Sequence, residues 1–265
     1  MRGHYGECET AEAFLDLLHS LGEQASQGSA GILGAGLAMP GPFDYAAGVS
    51  QMRHKLTYLY GVDLRGALAA RFGWQPRQVR FLNDAAAYLL GEIGAGAARG
   101  VPRAVGITLG TGIGSAFAAN GSIVTSGPGV PPGGEVWNLP YGYGIVEDSL
   151  SGRAIQQTYK SRTGRQVEVA DIAAAAPEDA DAAAAFAEFG RHLGIALRGL
   201  AGEFAPEVVV IGGGISRSAH LFLPAAEREL QGMKLELRVS SLRDKAALVG
   251  AGVAWFAHES PASAA

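Results

Sequence analysis

The chain has 265 residues, 48 % of them hydrophobic and 17 % charged, with a formal net charge of −4 and one cysteine. It has no basic block to serve as a nucleic-acid surface, and no apolar run long enough to cross a bilayer. Cys8 alone excludes an internal disulfide or a multi-cysteine zinc site, and residues 1–7 lack the apolar centre of a signal peptide, so a reduced cytoplasmic setting is expected.

Thr10 caps a predicted helix on which Phe14, Leu17, Leu18 and Leu21 recur at helical spacing. Residues 32–39 read as a strand ended by Pro40-Gly41-Pro42. Asp63 caps a helix carrying Leu64, Leu68 and Phe72, closed by Gly73. A short strand follows at 79–82, and Asp84 opens a helix to about residue 98. Residues 105–109 start a hairpin through a glycine turn, and Asn120-Gly121 signals a second hairpin. The proline- and glycine-rich stretch 125–144 reads as a long ordered loop, a kind that is usually functional or disordered. Helices are predicted near 147–160, 179–203, 218–231 and 245–257, and strands at 207–211 and 235–239. The alanine-rich runs 171–176 and 180–187 read as helix broken at Pro177, and 259–265 as a frayed tail. Strands alternating with helices imply an α/β fold with mixed sheets covered on both faces.

Two glycine clusters carry the chemical signal. Residues 104–114 read Ala-Val-Gly-Ile-Thr-Leu-Gly-Thr-Gly-Ile-Gly, a strand ending in a turn with little side-chain bulk. There Gly110, Thr111, Gly112 and Gly114 present backbone N–H groups and a hydroxyl to a polyphosphate. The alternative is a plain hairpin with permissive glycines. The second cluster, Gly212, Gly213, Gly214 and Ser216, follows the strand Val208-Val209-Val210-Ile211. Neither is a dinucleotide fingerprint, because neither has Gly-x-Gly-x-x-Gly opening a helix in a βαβ unit. With Asn83-Asp84 upstream, the pattern suggests a nucleotide held between two halves and phosphoryl transfer to a small polar substrate. The six histidines are scattered without an i, i+4 pair, so none is assigned to a metal.

Six segments, in order, resemble the ROK family of sugar kinases and sugar-responsive repressors. They are Gly36-Leu37-Ala38-Met39-Pro40-Gly41-Pro42-Phe43-Asp44, Phe81-Leu82-Asn83-Asp84-Ala85-Ala86-Ala87, residues 109–115, Glu147-Asp148-x-x-Ser151-Gly152-Arg153-Ala154-Ile155, residues 206–216 and Ala247-Leu248-Val249-Gly250-Ala251. The resemblance runs from about residue 31 to 257 and implies a two-lobed actin-like ATPase (ribonuclease H-like) fold with an incomplete first lobe. Residues 1–98 with 247–265 would form the small substrate-side lobe, and 99–246 the larger lobe for nucleotide and sugar.

By the same resemblance Asp84 is the catalytic base, since phosphoryl transfer to an alcohol needs a carboxylate to take the hydroxyl proton. The other reading of Asp84 is a cap for a helix starting at Ala85. Asn83, Glu135, Asn138, Glu147 and Gly41 would face the sugar, carboxylates being acceptor-only partners for ring hydroxyls. Asn83 also reads as a strand-end turn residue, and Glu147 as a first-turn charge favouring the helix dipole. Trp137, Tyr141 and Tyr143 either stack on a sugar face or simply pack.

The implied reaction is ATP-dependent phosphorylation of a hexose hydroxyl, of glucokinase or mannokinase type, with Mg²⁺ arriving on the nucleotide. Two features depart from the family pattern. No Asp-x-Gly-Gly-Thr phosphate loop precedes residue 31, so the expectation is a reading frame that starts upstream, or a fragment, with an apolar sheet edge left beside the first strand. The family's zinc segment is also missing: Asn138 stands at its histidine, and residues 141–145 replace its cysteines, so no structural zinc is expected. The alternative on the same fold is a non-catalytic sugar sensor or decayed kinase. A DNA-binding repressor would need a helix-turn-helix ahead of residue 10. The implied partners are a sugar and ATP, without nucleic acid or membrane, in a homodimer.

Overall fold

The computed structural model describes residues 6, 8–27 and 31–257; the tail predicted at 259–265 and most of residues 1–7 lie outside them. The chain divides into two units, Met1–Ala87 with Ala251–Ala265, and Tyr88–Gly250.

In the first unit helix α1 (Ala11–Ser26) starts where Thr10 accepts the Ala13 N–H at 3.1 Å. Strand β1 spans Ala35–Met39, three residues shorter at its start than predicted. Its pairing begins only where the partner strand does, at Ala35 opposite Val79, and before it the Leu33 carbonyl accepts from the Gln78 side chain. A small hairpin of β2 (Phe43–Asp44) and β3 (Val49–Ser50) precedes helix α2 (Leu64–Phe72). Asp63 caps α2 through the Gly66 N–H at 2.9 Å, and Gly73 closes it in the left-handed region, both as predicted. Strand β4 (Val79–Asn83) runs parallel to β1, from Ala35 opposite Val79 to Met39 opposite Asn83. Phe14, Met39, Met52, Leu59, Leu64 and Phe81 build the core of this unit. Helix α3 (Asp84–Ala95) follows β4 directly.

The second unit contains β5 (Arg103–Leu109), β6 (Ile113–Ala119), β7 (Ser122–Val124), β8 (Pro140–Tyr141), β9 (Gly144–Ile145), α4 (Val146–Ser149), α5 (Gly152–Thr163), α6 (Val169–Ala175), α7 (Ala180–Phe204), β10 (Val208–Gly212), α8 (Ala219–Glu229), β11 (Glu236–Val239) and the start of α9 (Ala246–Ala257). Its mixed sheet has the order β11-β10-β5-β6-β7, parallel across the first three strands and antiparallel thereafter. Asn120 and Gly121 both take positive φ at the β6–β7 turn, as that dipeptide predicts. Phe117, Ile155, Phe186, Phe189 and Phe222 fill the core.

The single helix predicted at 147–160 is two helices. The chain leaves α4 after Ser149, and the Gly152 N–H that starts α5 donates to the Gly110 carbonyl at 2.8 Å, so a tertiary bond sets the break. The long loop is anchored by buried Ser115, which donates to the Gly134 carbonyl at 2.6 Å and accepts from the Val136 N–H at 2.9 Å. No helix among the described residues is long and apolar enough to cross a membrane.

Candidate active site

In the first unit β1 and β4 end together, so the Gly41 loop and Asp84 leave from their shared carboxyl edge, where parallel sheets bind ligands. Tyr45, unremarked in the sequence, joins them. Its hydroxyl donates to the Met39 carbonyl at 3.1 Å and accepts from Asn83 Nδ2 at 3.2 Å. Asn83 Oδ1 accepts the N–H groups of Ala85 and Ala86 at 2.9 and 3.2 Å. Asn83 is therefore the cap of α3, a correction to the reading that gave this task to Asp84. Asp84 is the first helical residue, exposed, with Oδ1 2.9 Å from the Ala85 N–H.

In the second unit the two glycine clusters, about a hundred residues apart in the chain, meet. Thr108 lies opposite Gly212 in the parallel β5–β10 register, which brings both turns to the same sheet edge. Gly213 has a φ of 81°, and a Cβ there would collide with the Leu109 carbonyl. Gly110 closes its turn by donating to the Gly112 carbonyl at 2.9 Å. Its own carbonyl faces α5, so the Thr111 N–H of that trans peptide points the opposite way. Thr111 and Gly214 are exposed.

Two members of the second cluster have inward tasks that the sequence did not reveal. Gly212 is buried, and its missing side chain makes room for the Tyr88 ring, 2.5 Å from where a Cβ would sit. Burial, then the nearby Glu92 carboxylate, push the Tyr88 phenol well above its ordinary pKa. The Ser216 hydroxyl donates to the Gly213 carbonyl at 2.7 Å and so shapes the turn.

The candidate sugar ligands of this unit gather around Trp137. The Trp137 indole donates to Glu135 Oε2 at 2.9 Å, and its carbonyl accepts the Glu147 N–H at 3.0 Å. Asn138 is the exposed next residue. Glu147 reaches the first glycine turn: Oε2 accepts the Ile113 N–H at 3.2 Å, and a Cβ on Gly112 would collide with it. Gly114 sits in β6 opposite Thr108.

Residues 140–145, between Asn138 and Glu147, form the β8–β9 hairpin. It carries neither thiol nor imidazole, and the Asn138 carboxamide is a poor zinc ligand, so these residues do not fit a zinc ion. Among the described residues no group of three or more His, Cys, Asp or Glu side chains could hold a metal. The hairpin is instead anchored by Tyr141, whose hydroxyl shares a 2.7 Å hydrogen bond with His192 Nδ1 on α7. Burial, then Arg191, hold the His192 pKa below its ordinary value, against the opposing pull of Glu188.

A histidine with a lowered folded-state pKa binds its proton more readily in the unfolded chain. Its contribution is therefore present at higher pH and lost as pH falls through the unfolded value of ~6.5. The melting temperature should drop between about pH 7.5 and 5.5, and His192→Gln should flatten part of that slope. Identical slopes for the two proteins would rule out this role.

A sequence model described as the ROK family matches residues 4–259. The glucokinase of Thermotoga maritima is 32 % identical over 220 residues, covering 73 % of this chain and 68 % of that protein. The N-acetyl-D-glucosamine kinase of Yersinia enterocolitica is 28 % identical over 256 residues, covering 88 % and 81 %. The crystal structure of a ROK family glucokinase from Streptomyces griseus with glucose and AMPPNP superposes with a TM-score of 0.74 at 25 % identity, covering 93 % of this chain and 88 % of that one.

Proposed function

The chain belongs to the ROK family, and from that premise we propose that it transfers the γ-phosphoryl group of ATP to a hexose hydroxyl. The observation that carries the proposal is the meeting of the Gly110 and Gly213 turns at one sheet edge, with Glu147 against the first of them. Backbone N–H groups of Thr111 and Gly112, in the turn that Gly110 and Gly114 flank, bind the phosphates, and the exposed turn at Gly213 and Gly214, which Gly212 and Ser216 support from the inside, receives the adenosine. Asn83, Glu135, Asn138, Glu147 and the Gly41 loop orient the sugar. Asp84 accepts the hydroxyl proton as the sugar oxygen bonds to the γ-phosphorus and the bond to the β–γ bridging oxygen breaks, releasing ADP. Mg²⁺ enters with the nucleotide, held mainly by phosphate oxygens and water. A cytoplasmic homodimer goes with this reading, and light scattering of the purified protein tests the dimer.

Relatives named for both glucose and N-acetylglucosamine support a hexose as the acceptor class. The experiment is ADP release from ATP across glucose, mannose and N-acetylglucosamine. At least one should be phosphorylated. Sugar binding with no ADP formed would replace this reading with the non-catalytic sensor.

A further inference from the structure

We infer that Arg153 is a sugar-gated contact for the phosphoryl donor: Glu147 holds its guanidinium until a sugar hydroxyl takes its place, and the arginine then turns to the donor's phosphates. The inference rests on the kinase reading above. Both oxygens of Glu147 have partners. Oε2 holds the first glycine turn through the Ile113 N–H, and Oε1 lies 3.3 Å from an Arg153 guanidinium nitrogen. One carboxylate thus joins the phosphate-binding turn to an arginine.

The two attachments are not equal. The Glu147 side chain is 26 % exposed and lodged against backbone, whereas that of Arg153 is 72 % exposed. An exposed ion pair is weak and easily exchanged. A hydroxyl donating to Oε1 displaces Arg153 while the bond from Oε2 to the turn stays in place. The displaced group remains close. Arg153 follows Gly152, whose N–H already holds the Gly110 carbonyl, so the arginine is tethered to the helix start that supports the turn. A guanidinium fork matches phosphate oxygens, and the positive end of α5 adds to its pull. A carboxylate beside a phosphate site would otherwise repel the donor, and Arg153 offsets that charge.

Binding of AMPPNP, measured by calorimetry with and without saturating glucose, tests the inference on wild type, Arg153→Gln and Arg153→Lys. In wild type, glucose should tighten AMPPNP binding about fivefold or more, and AMPPNP should tighten glucose by the same factor. Arg153→Gln should abolish this coupling while binding glucose alone at least as tightly, because nothing then competes for Glu147. Arg153→Lys should keep part of the coupling. No coupling in wild type, or full coupling in Arg153→Gln, overturns the gating. Failure of the kinase reading is scored separately, by the absence of ADP formation in the wild type.

Discussion

Asp84→Asn is expected to lower kcat by about 10²–10⁴-fold, with the melting temperature close to that of the wild type. The substitution is nearly isosteric, and α3 keeps its cap, because the cap is Asn83. Asparagine at position 84 cannot accept the hydroxyl proton, so the loss should fall on kcat, with KM for sugar and ATP changing little. Asn83→Ala provides the contrast. It removes the acceptor for two helix N–H groups and should cost about 1 kcal/mol of stability while leaving the carboxylate in place. Steady-state kinetics with thermal melts of both variants separate the two roles. Turnover by Asp84→Asn within about tenfold of wild type would remove Asp84 as the general base.

The features legible in the sequence are those that one residue decides locally. Thr10 and Asp63 stand where caps are needed, Gly73 supplies a left-handed helix end, and Asn120-Gly121 supplies two positive φ angles. The glycine turns were legible as turns, because a strand followed by glycines has few other outcomes. Partners brought together by the fold were not. Asn83 and Asp84 are both good caps, and only the hydrogen bonds to Ala85 and Ala86 decide between them. Gly212 looked ligand-facing because nothing in the sequence places Tyr88 over it. The break between α4 and α5 depends on a carbonyl at Gly110, and the Tyr141–His192 contact spans 51 residues. Glu147 read as a sugar ligand or a dipole charge, yet it also holds the turn at Ile113, a task visible only once the strands are paired.

Glu92→Ala should destabilise the protein by about 3–5 kcal/mol, the largest stability loss expected of any single polar residue here. In sequence Glu92 is an ordinary helical acid, yet its side chain is fully buried. Oε1 accepts from the Ser240 hydroxyl and from the Leu242 N–H at 3.1 Å, and Oε2 accepts the Ala97 N–H at 2.7 Å. The carboxylate therefore ties the end of α3 to the segment between β11 and α9, which are about 150 residues apart in the chain. Removing it takes the acceptor from the buried Ser240 hydroxyl, from the Ala97 and Leu242 N–H groups and, at 3.4 Å, from the Ser241 N–H and hydroxyl, and each buried group left unpaired costs ~1–3 kcal/mol. In a chain of this size the loss corresponds to a fall of roughly 10 °C in melting temperature. Glu92→Gln keeps the shape but turns an NH₂ toward donors on one side or the other, so it should lie between wild type and Glu92→Ala. The exposed Glu188→Gln should stay within about 0.5 kcal/mol of wild type. Calorimetric melts of the three variants decide it. A Glu92→Ala protein melting within about 2 °C of wild type would mean that water, and not this carboxylate, satisfies those donors.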